Sequence, residues 1–280
     1  MPELPEVEIT RRGIAPHLQG HIVTGVVIRH PRLRWPIPAE LNTLLAGRKV
    51  QTVDRRGKYL LLGFDHGTLI LHLGMSGSLR VIDRDEPAGV HDHFDLILGN
   101  LALRLRDPRR FGAVLWSADD VALHPLLAGL GVEPLSALFT PDYLHAATRR
   151  RKQAIKLLLM DHHVVVGVGN IYANESLFRA GIRPSMAASR LTHGAAERVV
   201  DTVRQTLRDA LAAGGSSLRD FVHSDGTSGY FQQQYFVYGR DGEACRKCST
   251  LVRRVVQGQR ATFYCPICQP SRPSRQSVLD

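Results

Sequence analysis

Long apolar runs are missing from the sequence. No stretch of its 280 residues approaches the roughly 18 consecutive apolar side chains that a membrane-crossing helix needs, which excludes a helical membrane protein. The opening residues, MPELPEVEIT, hold neither an apolar run nor a basic leader, so no secretory signal and a cytoplasmic location are expected. Cysteine is scarce, with four residues, and in a reducing compartment disulfides are rare, so these four need another explanation. Acidic side chains are outnumbered, 26 against 36 basic ones, which leaves a net charge of +10 and a pI near 9.9. That deficit points to a polyanionic partner, nucleic acid first; a basic surface with no dedicated partner is the alternative. No internal repeat is visible. What is present is a hydrophobic fraction of 44%, enough for a buried core in two domains or one large one.

Residues 1 to about 130 read mostly as β. The segments 21–28, 58–64, 68–74, 78–82, 93–99, 101–107 and 112–117 are short apolar runs with turn signals between them, a spacing that predicts a sandwich or barrel. Gly99-Asn100 predicts a tight hairpin turn. The first segment differs: Pro5 followed by EVEITRRGIAPHL predicts a helix with proline and acids in its first turn. A hinge is expected within 126–144, and helical periodicity follows it. Residues 142–161 predict a helix with a basic middle. Residues 170–181 predict one starting at an Asn cap, and 195–215 one with Val200, Val203, Leu207 and Leu211 on one face before a Gly-Gly stop. Residues 216–234 read as a loop. The divisions expected are 1–130, a helical part over 131–238, a cysteine module over 239–269, and a disordered tail over 270–280.

Cys245-x2-Cys248-x16-Cys265-x2-Cys268 has the spacing of a four-thiolate zinc site, each Cys-x2-Cys presenting two sulfurs to one ion. Two disulfides or four unrelated thiols are the other readings. Residues 239–275 carry eight basic side chains against two acids, so +6 of the protein's +10 lies in this small segment. One structural Zn2+ holding a phosphate-facing hairpin is the expectation.

The motifs PELPEVE (2–8), RRGKYLLL around Lys58, HLGMSGSLR (72–80), HDH (91–93), DPRRFG (107–112), GVGNIYANE (167–175) and QRATFYC (259–265) occur in order over nearly the whole chain. With the cysteine quartet, they resemble those of bacterial formamidopyrimidine-DNA glycosylases. The resemblance implies an α+β protein of two domains: an N-terminal β-sandwich with flanking helices, then a helix–two-turns–helix domain ending in the zinc finger, with duplex DNA between them. It implies removal of oxidised purines followed by strand cleavage, by a monomer acting at the nucleoid.

An enzyme working on a base inside a duplex must extrude it, fill the gap, grip the backbone and do chemistry at the sugar. By the resemblance, Met75, Arg109 and Phe111 fill the gap, since apolar wedges hold bases apart and Arg can bond the orphaned partner base. Read alone, Met75 and Phe111 could be core and Arg109 could pair with Asp107. His91, Arg109, Lys152, Lys156 and Asn170 match DNA-contacting positions. Lys152 and Lys156 are expected one turn apart on one helix face, and GVGN is expected at a helix N-terminus where bare backbone approaches an anion. A solvated helix and a plain turn are the alternatives. Arg260 corresponds to an arginine on the phosphates flanking the lesion. The loop bearing Ser217 and Tyr230 corresponds to a base-covering lid, or is only a connector.

Pro2 corresponds to the family's nucleophile. Removal of Met1 would expose a secondary α-amine with a pKa of about 7.7–8.0, partly neutral near neutral pH. Glu3 is the expected proton carrier and Lys58 the second catalytic cation. As a plain helix start, PELPEVE explains Pro5, Glu6 and Glu8 but has no use for Pro2. Two rivals remain at this point. One is the sister group of endonucleases acting on oxidised pyrimidines, which lacks the Met75, Arg109 and Phe111 set. The other is a non-catalytic zinc-ribbon DNA-binding protein, which has no use for Pro2, Glu3 and Lys58.

Overall fold

A computed structural model describes residues 2–215 and 235–271. Residues 216–234, where a loop bearing Ser217 and Tyr230 was expected, and residues 272–280 lie outside the described residues. The elements run α1 (Leu4–Leu18), β1 (Gly25–Ile28), α2 (Leu41–Leu45), β2 (Thr52–Arg56), β3 (Tyr59–Phe64), β4 (Gly67–His72), β5 (Ser78–Asp83), β6 (Asp92–Leu98), β7 (Leu101–Arg106), β8 (Ala113–Ser117), α3 (Pro141–Thr148), α4 (Ile155–Leu159), α5 (Asn170–Arg179), α6 (His193–Ala212), β9 (Arg253–Gln257) and β10 (Arg260–Tyr264). They form two compact units: residues 2–129 with 210–215, and residues 130–209 with 235–271. No helix among the described residues is long and apolar enough to cross a membrane.

The first unit is a sandwich of two antiparallel four-stranded sheets, ordered β2-β3-β4-β8 and β1-β6-β7-β5. Period-two patterning builds it: along β3, Leu60, Leu62 and Phe64 turn inward while Tyr59, Leu61 and Gly63 stay half-buried. The core joins these to Leu69 and Leu71 of β4, Phe94 and Leu96 of β6, Leu103 and Leu105 of β7, and Val7, Ile14 and Leu18 of α1. Gly99-Asn100 is the two-residue turn between β6 and β7. The other face of that hairpin buries a cross-strand ion pair, Arg104 on Asp95 at 2.8 Å, with Arg29 reaching the same carboxylate at 2.6 Å. Strand β2 was not expected, because Asp54, Arg55 and Arg56 leave Val53 as its one buried side chain; it is an edge strand.

The second unit holds α3, α4, α5, most of α6 and the cysteine hairpin. The expected continuous helix over 142–161 is two helices, α3 and α4, with 149–154 between them outside any helix. Arg150 sits at φ 61, the left-handed region, which stops a right-handed helix. Val200, Val203 and Leu207 of α6 are buried as expected, and Gly214 and Gly215 follow its end with positive φ. The hairpin shares a buried cluster with the helices: Phe178 of α5 packs with Val237, Cys245, Val252, Phe263 and Cys265.

Phe94 is fully buried at the centre of the sandwich. Phe94→Ala is expected to cost about 3–5 kcal/mol of stability, read as a lower urea midpoint. A cost under about 1 kcal/mol would mean that this layer of the core is not packed as described.

Candidate active site

Helix α1 presents the N-terminal residues. Pro5 sits in its first turn, where a missing N–H costs nothing, and the Glu6 carboxylate reaches back to accept the Glu3 N–H at 2.8 Å. Pro2 is buried. Glu3 is 1% exposed and Glu6 is fully buried, so the start of this helix is a dry, acidic corner.

One turn further on, Glu8 accepts from Arg11 at 2.9 Å and 3.0 Å, from Arg12 at 2.8 Å and from Arg55 at 3.2 Å. Burial alone would raise the Glu8 pKa. The hydrogen bonds from Arg11 and Arg12 and the charges of Arg11 and Arg55 outweigh it and hold the pKa at about 2. Arg55 also donates to the Gly57 carbonyl at 2.7 Å, in the turn between β2 and β3. The next residue is Lys58, which is half-buried. Glu8 and Arg55 therefore tie the helix carrying Pro2 and Glu3 to the turn carrying Lys58. Sequence reasoning saw neither residue in this role; the signal available was a carboxylate kept among arginines at 8, 11 and 12.

Lys58 lies close enough to His72 to act on it. Burial, then the charges of Lys58 and Arg34, push the His72 pKa down to about 4, so the ring is neutral. Its Nδ1 accepts the Gly74 N–H at 3.0 Å, which fixes the tautomer and the start of the turn carrying Met75. Gly74 has φ 63, and a Cβ there would lie 2.4 Å from the Phe111 carbonyl carbon, so the two turns touch backbone to backbone. Met75 and Phe111 are 36% and 43% exposed, which places both outside the core. The Arg109 guanidinium does not pair with Asp107. It lies over the Phe111 ring at 4.8 Å, while its backbone N–H bonds Asp107 at 3.3 Å. His91 is half-buried, and its carbonyl accepts the Asp107 N–H at 2.9 Å.

In the second unit, three side chains converge on β10. Asn170 donates to the Ala261 carbonyl at 3.1 Å, and Asn174 accepts the Phe263 N–H at 2.8 Å. Lys156 donates to Ala261 O at 2.9 Å and to Thr262 Oγ1 at 2.7 Å. The expectation that Lys152 and Lys156 lie one turn apart on one DNA-facing helix face is therefore corrected, and the solvated-helix alternative fails for Lys156 as well. Lys152 is exposed ahead of α4, whereas Lys156 is fully buried and braces the hairpin through acceptors on β10. Asn170 is the first residue of α5, after Gly169 as the cap. Arg260 is exposed at the head of β10, beside a turn in which Gly258 and Gln259 both have positive φ; the glycine also packs on Leu157, 3.0 Å from where a Cβ would sit.

The NIYANE stretch does more than form a helix start. Glu175 is 1% exposed and accepts the N–H groups of Phe236, Val237 and Tyr238 at 2.9, 3.0 and 2.8 Å. Burial pushes its pKa up, against the pull of those three donors and of Arg179.

The four cysteine sulfurs lie within 4.8 Å of one another, Cys245 to Cys268 at 3.9 Å and Cys248 to Cys265 at 3.4 Å. A zinc with Zn–S bonds of about 2.3 Å needs tetrahedral sulfurs just under 4 Å apart, so the donor set fits the ion. Backbone N–H groups of Lys247 and Cys268 point at Cys245 and Cys265 sulfurs, each at 3.4 Å, as thiolate charge requires. Gln269, fully buried, accepts the Cys265 N–H at 3.0 Å and donates to the Ile182 carbonyl at 2.8 Å, fixing one knuckle to the loop after α5.

Three family models match the chain: the Formamidopyrimidine-DNA glycosylase N-terminal domain over 1–114, the Formamidopyrimidine-DNA glycosylase H2TH domain over 130–222, and the Zinc finger found in FPG and IleRS over 242–270. The formamidopyrimidine-DNA glycosylase of Aromatoleum aromaticum is 62% identical, over 96% of this chain and 99% of its own length. That of Herminiimonas arsenicoxydans is 58% identical, over 96% and 100%. The crystal structure of the MutM (Fpg) protein from Thermus thermophilus superposes with a TM-score of 0.87 at 39% identity, covering 97% of this chain and all of that one. A complex of Lactococcus lactis Fpg with abasic-site DNA gives 0.89 at 32%, covering 96% and 99%.

Two outcomes follow from this geometry. Glu8 has a depressed pKa, so its ionised form stabilises the fold above its ordinary value of 4.5, and that contribution is lost as pH falls toward 2. Glu8→Gln should lower the urea midpoint at pH 7, and the gap to the wild type should narrow steadily below pH 4.5 as pH falls toward 2. An unchanged gap across that range would contradict it. For the cysteines, metal analysis of purified protein should give one zinc per chain, lost in Cys248→Ser together with DNA binding, while the sandwich stays folded. Active protein without zinc would overturn the assignment.

Proposed function

We infer, from the premise that the chain belongs to the formamidopyrimidine-DNA glycosylase family, that it excises oxidised purines such as 8-oxoguanine and formamidopyrimidines from duplex DNA and then cleaves the strand. The observation that carries the residue-level reading is the Glu8–Arg55–Gly57 link. It joins the helix start bearing Pro2 and the buried Glu3 to the turn bearing Lys58.

With Met1 removed, Pro2 offers a secondary amine that is a usable nucleophile near neutral pH. Attack on the sugar C1′ breaks the bond to the damaged base, which leaves with the electron pair and is protonated. Loss of the amine proton and opening of the sugar ring, with Glu3 moving the protons, give an iminium. That nitrogen has no further hydrogen to lose, so the iminium keeps its charge and acts as an electron sink. Loss of a C2′ proton expels the 3′ phosphate, and a second elimination expels the 5′ phosphate. Lys58 supplies positive charge to the departing oxygens.

Met75, Arg109 and Phe111 occupy the space left by the extruded base, with His91 on the backbone. Lys152, Arg260 and the α5 N-terminus at Asn170 hold phosphates, and Lys156 acts through the hairpin that it braces. Ser217 and Tyr230 belong to the proposed base-covering loop. The zinc is structural, held by Cys245, Cys248, Cys265 and Cys268, and takes no part in the chemistry. A monomer acting on DNA in the cytoplasm, at the nucleoid, completes the reading. Because most of the grip is on phosphate, affinity falls steeply with salt.

Glu3→Gln is the sharpest test of the chemistry. Excision of 8-oxoguanine from a duplex should fall by about a hundredfold or more, while cleavage at a preformed abasic site persists, since no base has to leave. Gel analysis of both substrates separates the two activities. Wild-type rates of base excision in Glu3→Gln would remove it from the mechanism.

A further inference from the structure

The three gap-filling side chains stand on two separate turns, one after β4 and one between β7 and β8, yet gap filling needs them in fixed register. The carboxylate between those turns is Asp107, fully buried. Its Oδ1 accepts the Ser76 hydroxyl at 3.0 Å and the Arg109 N–H at 3.3 Å, and its Oδ2 accepts the Gly112 N–H at 2.8 Å. Ser76 follows Met75 directly, and Arg109 and Gly112 bracket Phe111. The main chain of Asp107 is committed as well: its N–H goes to His91 O at 2.9 Å, and its carbonyl accepts from Arg110 N at 3.2 Å and His93 Nε2 at 3.0 Å. A carbonyl can only accept, so His93 carries its proton on Nε2. Between the bonded residues, Arg110 is held at φ 54, a left-handed conformation that a non-glycine residue keeps only under constraint. Its guanidinium meets His30 at 2.6 Å. That kink leaves Arg109 and Phe111 stacked on each other.

We propose that Asp107 is a positioning residue for base extrusion: it locks the Met75 turn and the Arg109–Phe111 turn into one insert and sets His91 against the same anchor. The proposal rests on the glycosylase reading and adds to it that gap filling is a property of two turns acting together. An ionised carboxylate offers only acceptors, and three donors from two turns use them. Asparagine would replace one acceptor oxygen with a donor facing an N–H or O–H, so the insert would come apart at one side without loss of side-chain volume.

The test compares two substrates in the full-length protein. One is a duplex carrying 8-oxoguanine with 2-aminopurine beside it, whose fluorescence rises on unstacking. The other is a single strand carrying an abasic site, which needs no extrusion. Ser76→Ala breaks one link between the turns and should lower the ratio of duplex excision to single-strand cleavage about tenfold, with a smaller fluorescence rise. Ser76→Thr restores the hydroxyl and should recover both. Asp107→Asn should lower the ratio further; if it does not fold, the serine pair decides. Equal loss on both substrates, or no change on either, overturns the proposal. Wild-type protein that fails to release 8-oxoguanine at all would defeat the underlying reading instead, and that outcome is visible before any variant is made.

Discussion

A carboxylate taken out of water must be met by donors, and in this protein that requirement sets the geometry of the working turns. Asp107 collects a hydroxyl and two backbone N–H groups from two turns. Glu175 collects three consecutive N–H groups from residues 236–238. Glu8 collects three arginines. Each favours one arrangement of a pair of otherwise independent segments, because parting them would leave donors and acceptors without partners. Hydrophobic packing sets the sandwich and the helices, and these acceptors set the turns that the packing does not reach.

The consequence for chemistry is rigidity where charge develops. The start of α1 and the Lys58 turn are parts of one assembly through Glu8 and Arg55, so the helix start bearing Pro2 and Glu3 and the turn bearing Lys58 hold their register. In the second unit, α5 fastens β10 through Asn170 and Asn174. Zinc closes the far end of the same hairpin. The segment is too small to bury much apolar surface, and four thiolates supply what a core would.

Local signals were legible in the sequence and long-range ones were not. The cysteine spacing, the proline and acids opening α1, and the short apolar runs that became β3 and β6 are written in neighbouring residues and gave their elements directly. Lys156 was placed on a DNA-facing helix face with Lys152 because its acceptors, Ala261 and Thr262, lie 105 and 106 residues further along the chain. Glu175 looked like an ordinary helix residue because its donors lie 61 to 63 residues away. The break between α3 and α4 hangs on the backbone of Arg150, which no apolar periodicity records. Of the candidate site, the roles proposed for Pro2, Glu3, Lys58, Met75, Arg109 and Phe111 come from the resemblance. The residues holding them in place, Glu8, Arg55 and Asp107, emerged only from the fold.

The central claim is that the electron sink forms on the N-terminal nitrogen of Pro2 and not on a lysine. The most direct measurement is mass spectrometry of the peptide cross-linked to 8-oxoguanine DNA after borohydride reduction. The account predicts a chain lacking Met1, with the reduced sugar adduct on Pro2. An adduct on Lys58 or any other lysine, or efficient trapping by protein that retains Met1, would contradict it.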